Sequence, residues 1–268
     1  PGALGIRELL FGGLAYLMGF TVRDAIIAST FSRLVEVTVV CSLGAFYTWR
    51  LSGRIASSYE ENPFPGTGRY WEKRYAGGGD SGHGSVGAAA RLKADFLNDF
   101  CAKHDIGTVI EFGCGDGRQL ALARYGRYTG YDISPTAVAT CRRKFAGDKS
   151  REFHELGDYD GRQAEAALSL DVIYHLGEDD VFDAYMTRLF GAATRCVVIY
   201  STNTERQAAF GKGHVRHRRF TDWTERSAPG WRLADRRAGW HRLGGLYHGA
   251  HRADFFVFEK NSSPGGGS

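Results

Sequence analysis

The distribution of apolar and polar positions divides the chain into two unlike parts. Residues 1–52 are apolar with few charges, and residues 9–20 contain none. A second apolar stretch covers residues 25–49 and is interrupted by Arg33 and Glu36. These two charges are three positions apart, so they share one helix face and could pair inside a helical bundle. The pattern predicts an apolar helical segment over residues 1–52.

Two interpretations of this segment remain open. Neither apolar run contains the roughly 18 uncharged residues that are typical of a membrane-spanning helix, so a core hairpin of a soluble protein is one of them. The other is a transmembrane segment. Arg50 and Arg54 follow the second run directly and favour it, because basic residues are typical of a helix that exits on the cytoplasmic side.

From residue 70 onward, short β-rich runs alternate with helical ones. Residues 53–69 contain Pro63 and Pro65 and are expected to form a linker, and residues 261–268 a flexible tail. Apolar residues at helical spacing predict a helix over residues 89–101. Seven runs are typical of strands: 108–112, 127–131, 153–156, 168–176, 196–200, 231–234 and 253–259. This alternation predicts a Rossmann-like α/β domain over residues 70–260, with a seven-stranded, mostly parallel sheet and helices on both faces.

Composition narrows the class of protein. With 268 residues and 43% hydrophobic content, the chain can bury a core, which excludes general disorder. Its five cysteines include no C-x-x-C pair, which argues against a disulfide framework or a zinc knuckle. Residues 204–252 hold eleven basic and four acidic residues, a net charge of +7. Such an excess suits an anionic substrate, an anionic lipid surface or nucleic acid, although a solvated basic face is as good an interpretation.

The strongest chemical signal is a glycine-rich turn after the first predicted strand. Residues 111–117 read E-F-G-C-G-D-G and precede a helix-like sequence, 118–125. The G-x-G-x-x-G motif of NAD and FAD sites fails here, because its last position falls on Arg118. The second predicted strand ends in Asp132, 21 residues after Glu111, where such folds place a carboxylate on ribose hydroxyls.

The E-x-G-x-G-x-G pattern and the strand series resemble class I S-adenosylmethionine (SAM) methyltransferases over residues 70–260. The resemblance implies SAM as cofactor and S-adenosylhomocysteine (SAH) as product. It also implies a cofactor site made of Glu111, Gly113, Cys114, Gly115, Gly117, Asp132, Ile133, Asp158 and Tyr159. The segment 70–85 resembles the one that covers the methionine end of SAM in many relatives. Tyr70, Trp71 and Tyr75 could pack there on the sulfonium, or could instead pack into the core.

A second resemblance concerns residues 1–52. The sequence PGALGIRELL, followed by the run through SRLVEVTVV, resembles the C-terminal end of lysylphosphatidylglycerol-synthase-type transmembrane regions. It implies that these residues are the last helices of a larger membrane domain.

If the group that accepts the methyl is a hydroxyl, a base should take its proton, and histidine is the usual base. The chain has nine histidines, and we choose between them by their positions in the predicted fold. His175 lies near the end of the fourth predicted strand, above the expected cofactor. In a strand, Asp171 and His175 would share one face. We therefore predict His175 and Asp171 as catalytic residues, the alternative being a structural role at the strand end.

A second cluster follows the fifth predicted strand, where this fold tends to carry acceptor specificity. Its candidates for binding a phosphate or carboxylate are His214, Arg216, His217, Arg218 and Arg219. His214 and His217 are three apart, but no cysteine or nearby acid completes a metal site, so no metal is predicted.

Together these patterns predict a SAM-dependent methyltransferase tethered to a membrane, the bacterial inner membrane being favoured, with its catalytic domain in the cytoplasm. The predicted acceptor is a small or lipid-linked molecule, and nucleic acid is an unlikely partner because no RNA-binding module is visible. Two alternatives stay open: an RNA or protein methyltransferase, and a SAM-binding sensor without catalysis.

Overall fold

The computed structural model describes residues 6–61, 64–207, 213–239 and 253–261. The chain divides into two compact units, residues 1–63 and residues 64–268. The predicted tail lies outside the described residues, apart from Asn261.

The first unit is a pair of helices that contact each other, α1 (Ile6–Leu17) and α2 (Val22–Glu61). Thr21 begins α2, because its Oγ1 accepts a hydrogen bond from Asp24 N at 3.3 Å. Within α2, the stretch Ile26–Ser52 is long and apolar enough to cross a membrane, and its large apolar side chains are exposed. By itself this is weak support for a membrane segment.

Residues 53–69, predicted to be a linker, are helical for most of their length, and the boundary between the two units falls among them. Helix α2 continues through residues 53–61, and helix α3 (Thr67–Ala76) begins soon after the prolines. The reason is compositional: residues 53–61 contain no proline, and Arg, Ala and Glu are good helix formers.

The second unit is a seven-stranded sheet with helices on both faces. Its remaining helices are α4 (Gly87–Lys103), α5 (Pro135–Lys144), α6 (Asp179–Gly191) and α7 (Phe220–Ser227). Its strands are β1 (Thr108–Phe112), β2 (Arg127–Asp132), β3 (Arg151–Glu155), β4 (Ala164–Leu170), β5 (Ala193–Ser201), β6 (Trp231–Arg237) and β7 (Asp254–Lys260). Their order is β3-β2-β1-β4-β5-β7-β6.

The pairing confirms the predicted fold class. Strands β1 to β5 pair in parallel, and β7 pairs antiparallel with both β5 and β6. Strand order reverses between β1 and β4, which is where ligands bind in open α/β sheets. Side chains alternate along the strands, so that Ile110 and Phe112 pack in the core beside α6 while Val109 packs with Leu97 of α4.

Two predicted elements are wrong, and both lie next to the switch in strand order. Strand β4 ends at Leu170 instead of continuing to residue 176. Asp171 takes a left-handed backbone conformation, with φ of 59°, and Ile173–His175 form a 3-10 turn. Asp171 and His175 therefore do not share a strand face, because the chain has already turned out of the sheet.

The helix expected after the glycine-rich turn is also absent, and only a 3-10 turn forms there, at Leu120–Leu122. Asn98 of α4 supplies hydrogen bonds that a helix would otherwise provide. Its Nδ2 donates to Leu122 O at 3.0 Å, and its Oδ1 accepts from Arg124 N at 2.7 Å. Tertiary contacts thus supply hydrogen bonds to backbone groups of this segment, although it is not helical.

Candidate functional site

A cavity of about 620 Å³ opens at the carboxyl ends of β1, β2 and β4. This volume lies within the range of roughly 300–1,000 Å³ that is usual for small-molecule sites. Gly113 directly follows β1, Asp132 ends β2 and Asp171 directly follows β4, and all three line the cavity. The cavity therefore lies where the switch in strand order predicts a ligand.

The glycine-rich turn forms the floor of the cavity, because its backbone approaches neighbouring segments too closely for side chains. A Cβ on Gly113 would lie 2.5 Å from Cγ2 of Val172, and one on Gly115 would lie 2.3 Å from Oγ of Ser81. Both glycines also have left-handed φ angles, 86° and 57°. Cys114 lines the cavity between them, whereas Gly117 does not. Packing and backbone conformation therefore both require glycine at these two positions.

Asp132 is buried and holds two turns together. Its Oδ2 accepts a hydrogen bond from Gly115 N at 2.8 Å, and its Oδ1 accepts one from Ser134 N at 2.9 Å. Burial raises the pKa of this carboxyl to about 6. Ile133 lines the cavity beside it. This position suits the predicted contact with ribose hydroxyls, which stays a prediction.

Glu111 is a second buried carboxyl in the cavity wall. Its Oε2 accepts a hydrogen bond from the hydroxyl of Tyr128 at 2.6 Å. Burial raises its pKa to about 7, and the hydrogen bond from Tyr128 and the charge of Lys93 only partly offset this effect.

The segment that follows α3 lies across the glycine-rich turn. Ser81 Oγ accepts a hydrogen bond from Asp116 N at 3.0 Å, and Ser81 N donates to Asp116 Oδ2 at 3.1 Å. The Tyr75 hydroxyl lies 3.0 Å from the same Oγ, and Arg118 pairs with Asp80 at 2.6 Å. Residues 81–85 line the cavity, so this segment covers one side of it, as expected of residues 70–85.

The three aromatic residues predicted to pack on the sulfonium differ in their position relative to the cavity. Trp71 and Tyr75 line the cavity, whereas Tyr70 does not. The ring of Tyr70 stacks on His214 with centroids 4.2 Å apart and also packs against Phe64. Tyr70 therefore packs behind the cavity wall, against His214.

His175 lies among aromatic rings that line the cavity. Its ring is edge-on to Trp71, with centroids 5.0 Å apart, and stacks on His214 at 5.4 Å. Its Nδ1 lies 3.3 Å from the carbonyl oxygen of His214. His175 and His214 both line the cavity, and the structure brings together two histidines that are 39 positions apart.

Asp171 also lines the cavity, and the structure describes contacts of its carboxylate with Lys93 and Tyr174. It forms an ion pair with Lys93 of α4 and accepts a hydrogen bond from the Tyr174 hydroxyl at 2.7 Å. Lys93 is a site residue that was not predicted from the sequence. It is only 1% exposed. A signal existed: Lys93 shares the buried face of α4 with Ala90 and Leu97, where a charge is unusual.

Two arginines of the basic cluster after β5, which were predicted to bind an anion, form ion pairs within the chain, and their role in substrate binding stays a prediction. Arg216 and Arg218 both pair with Asp179 at 3.0 Å, and Arg218 also donates to Leu176 O. Neither lines the cavity, nor does Arg219. His217 does line it, with Nδ1 2.8 Å from Thr202 Oγ1.

Two of the predicted cofactor residues, Asp158 and Tyr159, do not line the cavity. Asp158 is exposed and lies in a 3-10 turn, Leu156–Asp158. Tyr159 packs edge-on against Phe112 and Tyr131 and does not line the cavity. Leu156 lines it instead, because β3 ends one residue earlier than expected and the turn projects Leu156 inward.

Known proteins match this chain at the level of domain and fold. A family model described as a methyltransferase domain matches residues 110–196. No curated protein sequence matches the chain. The family match confirms the prediction of a methyltransferase, and it supports SAM as the cofactor.

Solved structures confirm the fold. The N-methyltransferase NodS from Bradyrhizobium japonicum WM9, solved with SAH, is 14% identical; the match covers 74% of this chain and 100% of that one, with a TM-score of 0.57. The magnesium protoporphyrin IX methyltransferase from Synechocystis PCC 6803, also solved with SAH, is 17% identical, with 78% and 100% covered and a TM-score of 0.52. At this identity, the likeness concerns the fold.

Replacing Asp132 tests the placement of the cofactor. Asp132→Ala should weaken SAM binding about 10- to 100-fold, since a hydrogen bond to a charged group contributes roughly 1.5–3 kcal/mol. Calorimetry would measure this, with Asp99→Ala on the exposed face of α4 as a matched control. An unchanged affinity would remove Asp132 from the ribose site.

Glu111 should make stability depend on pH. Because its folded pKa is raised from 4.5 to about 7, the folded state holds a proton that the unfolded state loses, so stability should fall as pH rises between these values. Glu111→Gln should flatten this slope, leaving the smaller contribution of Asp132. Thermal unfolding from pH 4.5 to 8 measures the slope, with exposed Glu155→Gln as control. Equal slopes in wild type and Glu111→Gln would contradict the assignment.

Proposed function

We propose that this protein transfers the methyl group of SAM to a small or lipid-linked acceptor at the cytoplasmic face of a membrane. The observation that carries the proposal is the continuity of one cavity. The glycine-rich turn and Asp132 form one part of its wall, and His175, Lys93 and their neighbours form another. A cofactor and an acceptor can therefore meet inside a single cavity.

The residues present fit SAM. Two buried carboxyls, Glu111 and Asp132, face a ligand that carries a positive charge, and Trp71 and Tyr75 offer rings on which a cation can pack. When bound, SAM supplies an activated methyl group on a cationic sulfur. The protein then has to orient the acceptor in line with that methyl group and exclude water.

His175 is the proposed base for a hydroxyl acceptor. If its Nδ1 donates to the carbonyl of His214, the imidazole is held in the tautomer that has the lone pair on Nε2. During transfer, the bond from sulfur to carbon breaks and its electron pair stays on sulfur. The acceptor oxygen bonds to the methyl carbon, and its proton passes to Nε2 of His175.

A small acceptor is favoured over RNA or protein by the way the cavity is covered. Residues 81–85 lie over one side of it, and hydrogen bonds between Ser81 and Asp116 hold them there. The basic excess is also smaller than it appears in sequence, because described arginines at 216, 218, 232, 236 and 237 form ion pairs with acidic residues. The neighbour from Synechocystis is named for a small-molecule acceptor, magnesium protoporphyrin IX.

The membrane location rests on the first unit. The stretch Ile26–Ser52 exposes an apolar surface that water solvates poorly and a bilayer solvates well. A lipid-linked acceptor fits an enzyme that is held at the surface of a bilayer.

Calorimetry with SAM, SAH and NADH on the full chain in detergent tests the proposed function. We expect micromolar binding of SAM and SAH and none of NADH. To identify the acceptor, fractionated membrane lipids and small metabolites would then be incubated with the protein and labelled SAM, and the fraction that receives the label would be measured. Binding of NADH alone, or steeply salt-dependent methylation of a polynucleotide, would contradict the proposal. SAM binding without transfer to any acceptor would favour a sensor.

His175→Ala should separate catalysis from binding. We expect SAM affinity close to wild type and turnover lowered about 10²- to 10⁴-fold, the usual contribution of a general base. His104→Ala, at the end of α4 and outside the cavity lining, is the matched control. Wild-type turnover of His175→Ala would assign His175 a structural role.

A further inference from the structure

Lys93 is the most unusual group in the cavity. Its ammonium is 1% exposed, lies over the ring of Tyr200 at 5.3 Å and lines the cavity. An ammonium carries three N–H donors. Within the described residues, Lys93 donates to a single acceptor, the Asp171 carboxylate.

Buried donors are nearly always satisfied, because an unmade hydrogen bond costs the full desolvation of the donor. Asp171 neutralises the charge of Lys93 but uses one of its three donors. Lys93 lines the cavity, so a ligand in the cavity can accept from its other donors. A ligand atom that accepts hydrogen bonds is therefore expected beside Lys93.

We propose that Lys93 binds the atom that receives the methyl group and that this atom is oxygen. This inference rests on the proposed function and adds the class of acceptor to it. An acceptor oxygen has one lone pair for the hydrogen bond from Lys93 and another for the attack on the methyl group. A neutral amine has a single lone pair, which such a hydrogen bond would block, and a thiol is a weak hydrogen-bond acceptor.

The same contact explains a catalytic benefit. As the acceptor loses its proton to His175, negative charge develops on the oxygen, and a buried ammonium stabilises that charge. Rings of Trp71, Tyr174 and His175 line the cavity nearby, which suits an acceptor with a flat skeleton.

Matched probe compounds test the inference and can be used before the natural acceptor is identified. Hydroxyl, amine and thiol compounds on the same one-, two- and three-ring aromatic skeletons are titrated into the full chain saturated with SAH. They are then offered as acceptors with labelled SAM. We expect hydroxyl compounds to bind at least about tenfold more tightly than the matched amines and to receive the label.

Lys93→Met should abolish this preference while SAH still binds with wild-type affinity. Lys103→Met, exposed on the same helix, should change nothing. A purely structural role of Lys93 would lower the binding of hydroxyl and amine probes together, whereas loss of a donor lowers the binding of hydroxyl probes alone. The ratio of the two affinities is therefore the decisive quantity.

Lys93→Met leaves Asp171 without its cation and could prevent folding. The double variant Lys93→Met with Asp171→Asn removes that unpaired charge, and asparagine tolerates the left-handed backbone at this position. It should fold, bind SAH and lack the preference for hydroxyl probes.

Three results would overturn the inference: a preference for amine or thiol probes, a hydroxyl preference that survives in both Lys93 variants, or no binding of any hydroxyl probe at millimolar concentration. A wild-type protein that fails to bind SAH would instead refute the proposed function.

Discussion

The close approach of the turns after β1 and β4 is the constraint on which the site depends. Val172 lies against Gly113 at a distance that leaves no room for a Cβ, and Asp171 must take a left-handed conformation to bring it there. The backbone N–H of Asp171 donates to Tyr200 O at 2.9 Å and so fixes this turn to β5. Asp171, which pairs with Lys93, is positioned by the second of these turns. A side chain at position 113 would force them apart and open the floor of the cavity.

The charges of the cavity act against the stability of the empty protein. Burial disfavours the ionised forms of Glu111 and Asp132, which raises the pKa of each carboxyl. The ion pair between Lys93 and Asp171 also costs desolvation. A cationic ligand bound beside the two carboxyls, as we propose, would restore part of the stability that the empty site gives up. The site is arranged for a charged ligand and not for maximal stability.

The sequence predicted the parts of the fold that depend on local pattern. Strand β1, the glycine-rich turn and the end of β2 at Asp132 follow from short runs and glycine spacing, and they hold the predicted cofactor residues from Glu111 to Gly117 and Asp132. It failed where long-range contacts decide the structure. Hydrogen bonds with Asn98 of α4 hold the segment after the turn, where a helix was expected. The carbonyl of Tyr200 accepts a hydrogen bond from Asp171 N, where β4 was expected to continue. Lys93 and its partner Asp171 are 78 positions apart, so no local pattern shows their pairing.

The position of β7 has a consequence for how the catalytic unit is made in the cell. This strand, Asp254–Lys260, follows the other strands in sequence, yet it lies between β5 and β6 in the sheet and pairs with both. Until it is synthesised, β5 exposes an unpaired apolar edge and β6 lacks the neighbouring strand with which it pairs. The sheet therefore closes only after residue 260 has left the ribosome. A nascent chain that stalls before residue 254 would present an aggregation-prone edge to chaperones and proteases.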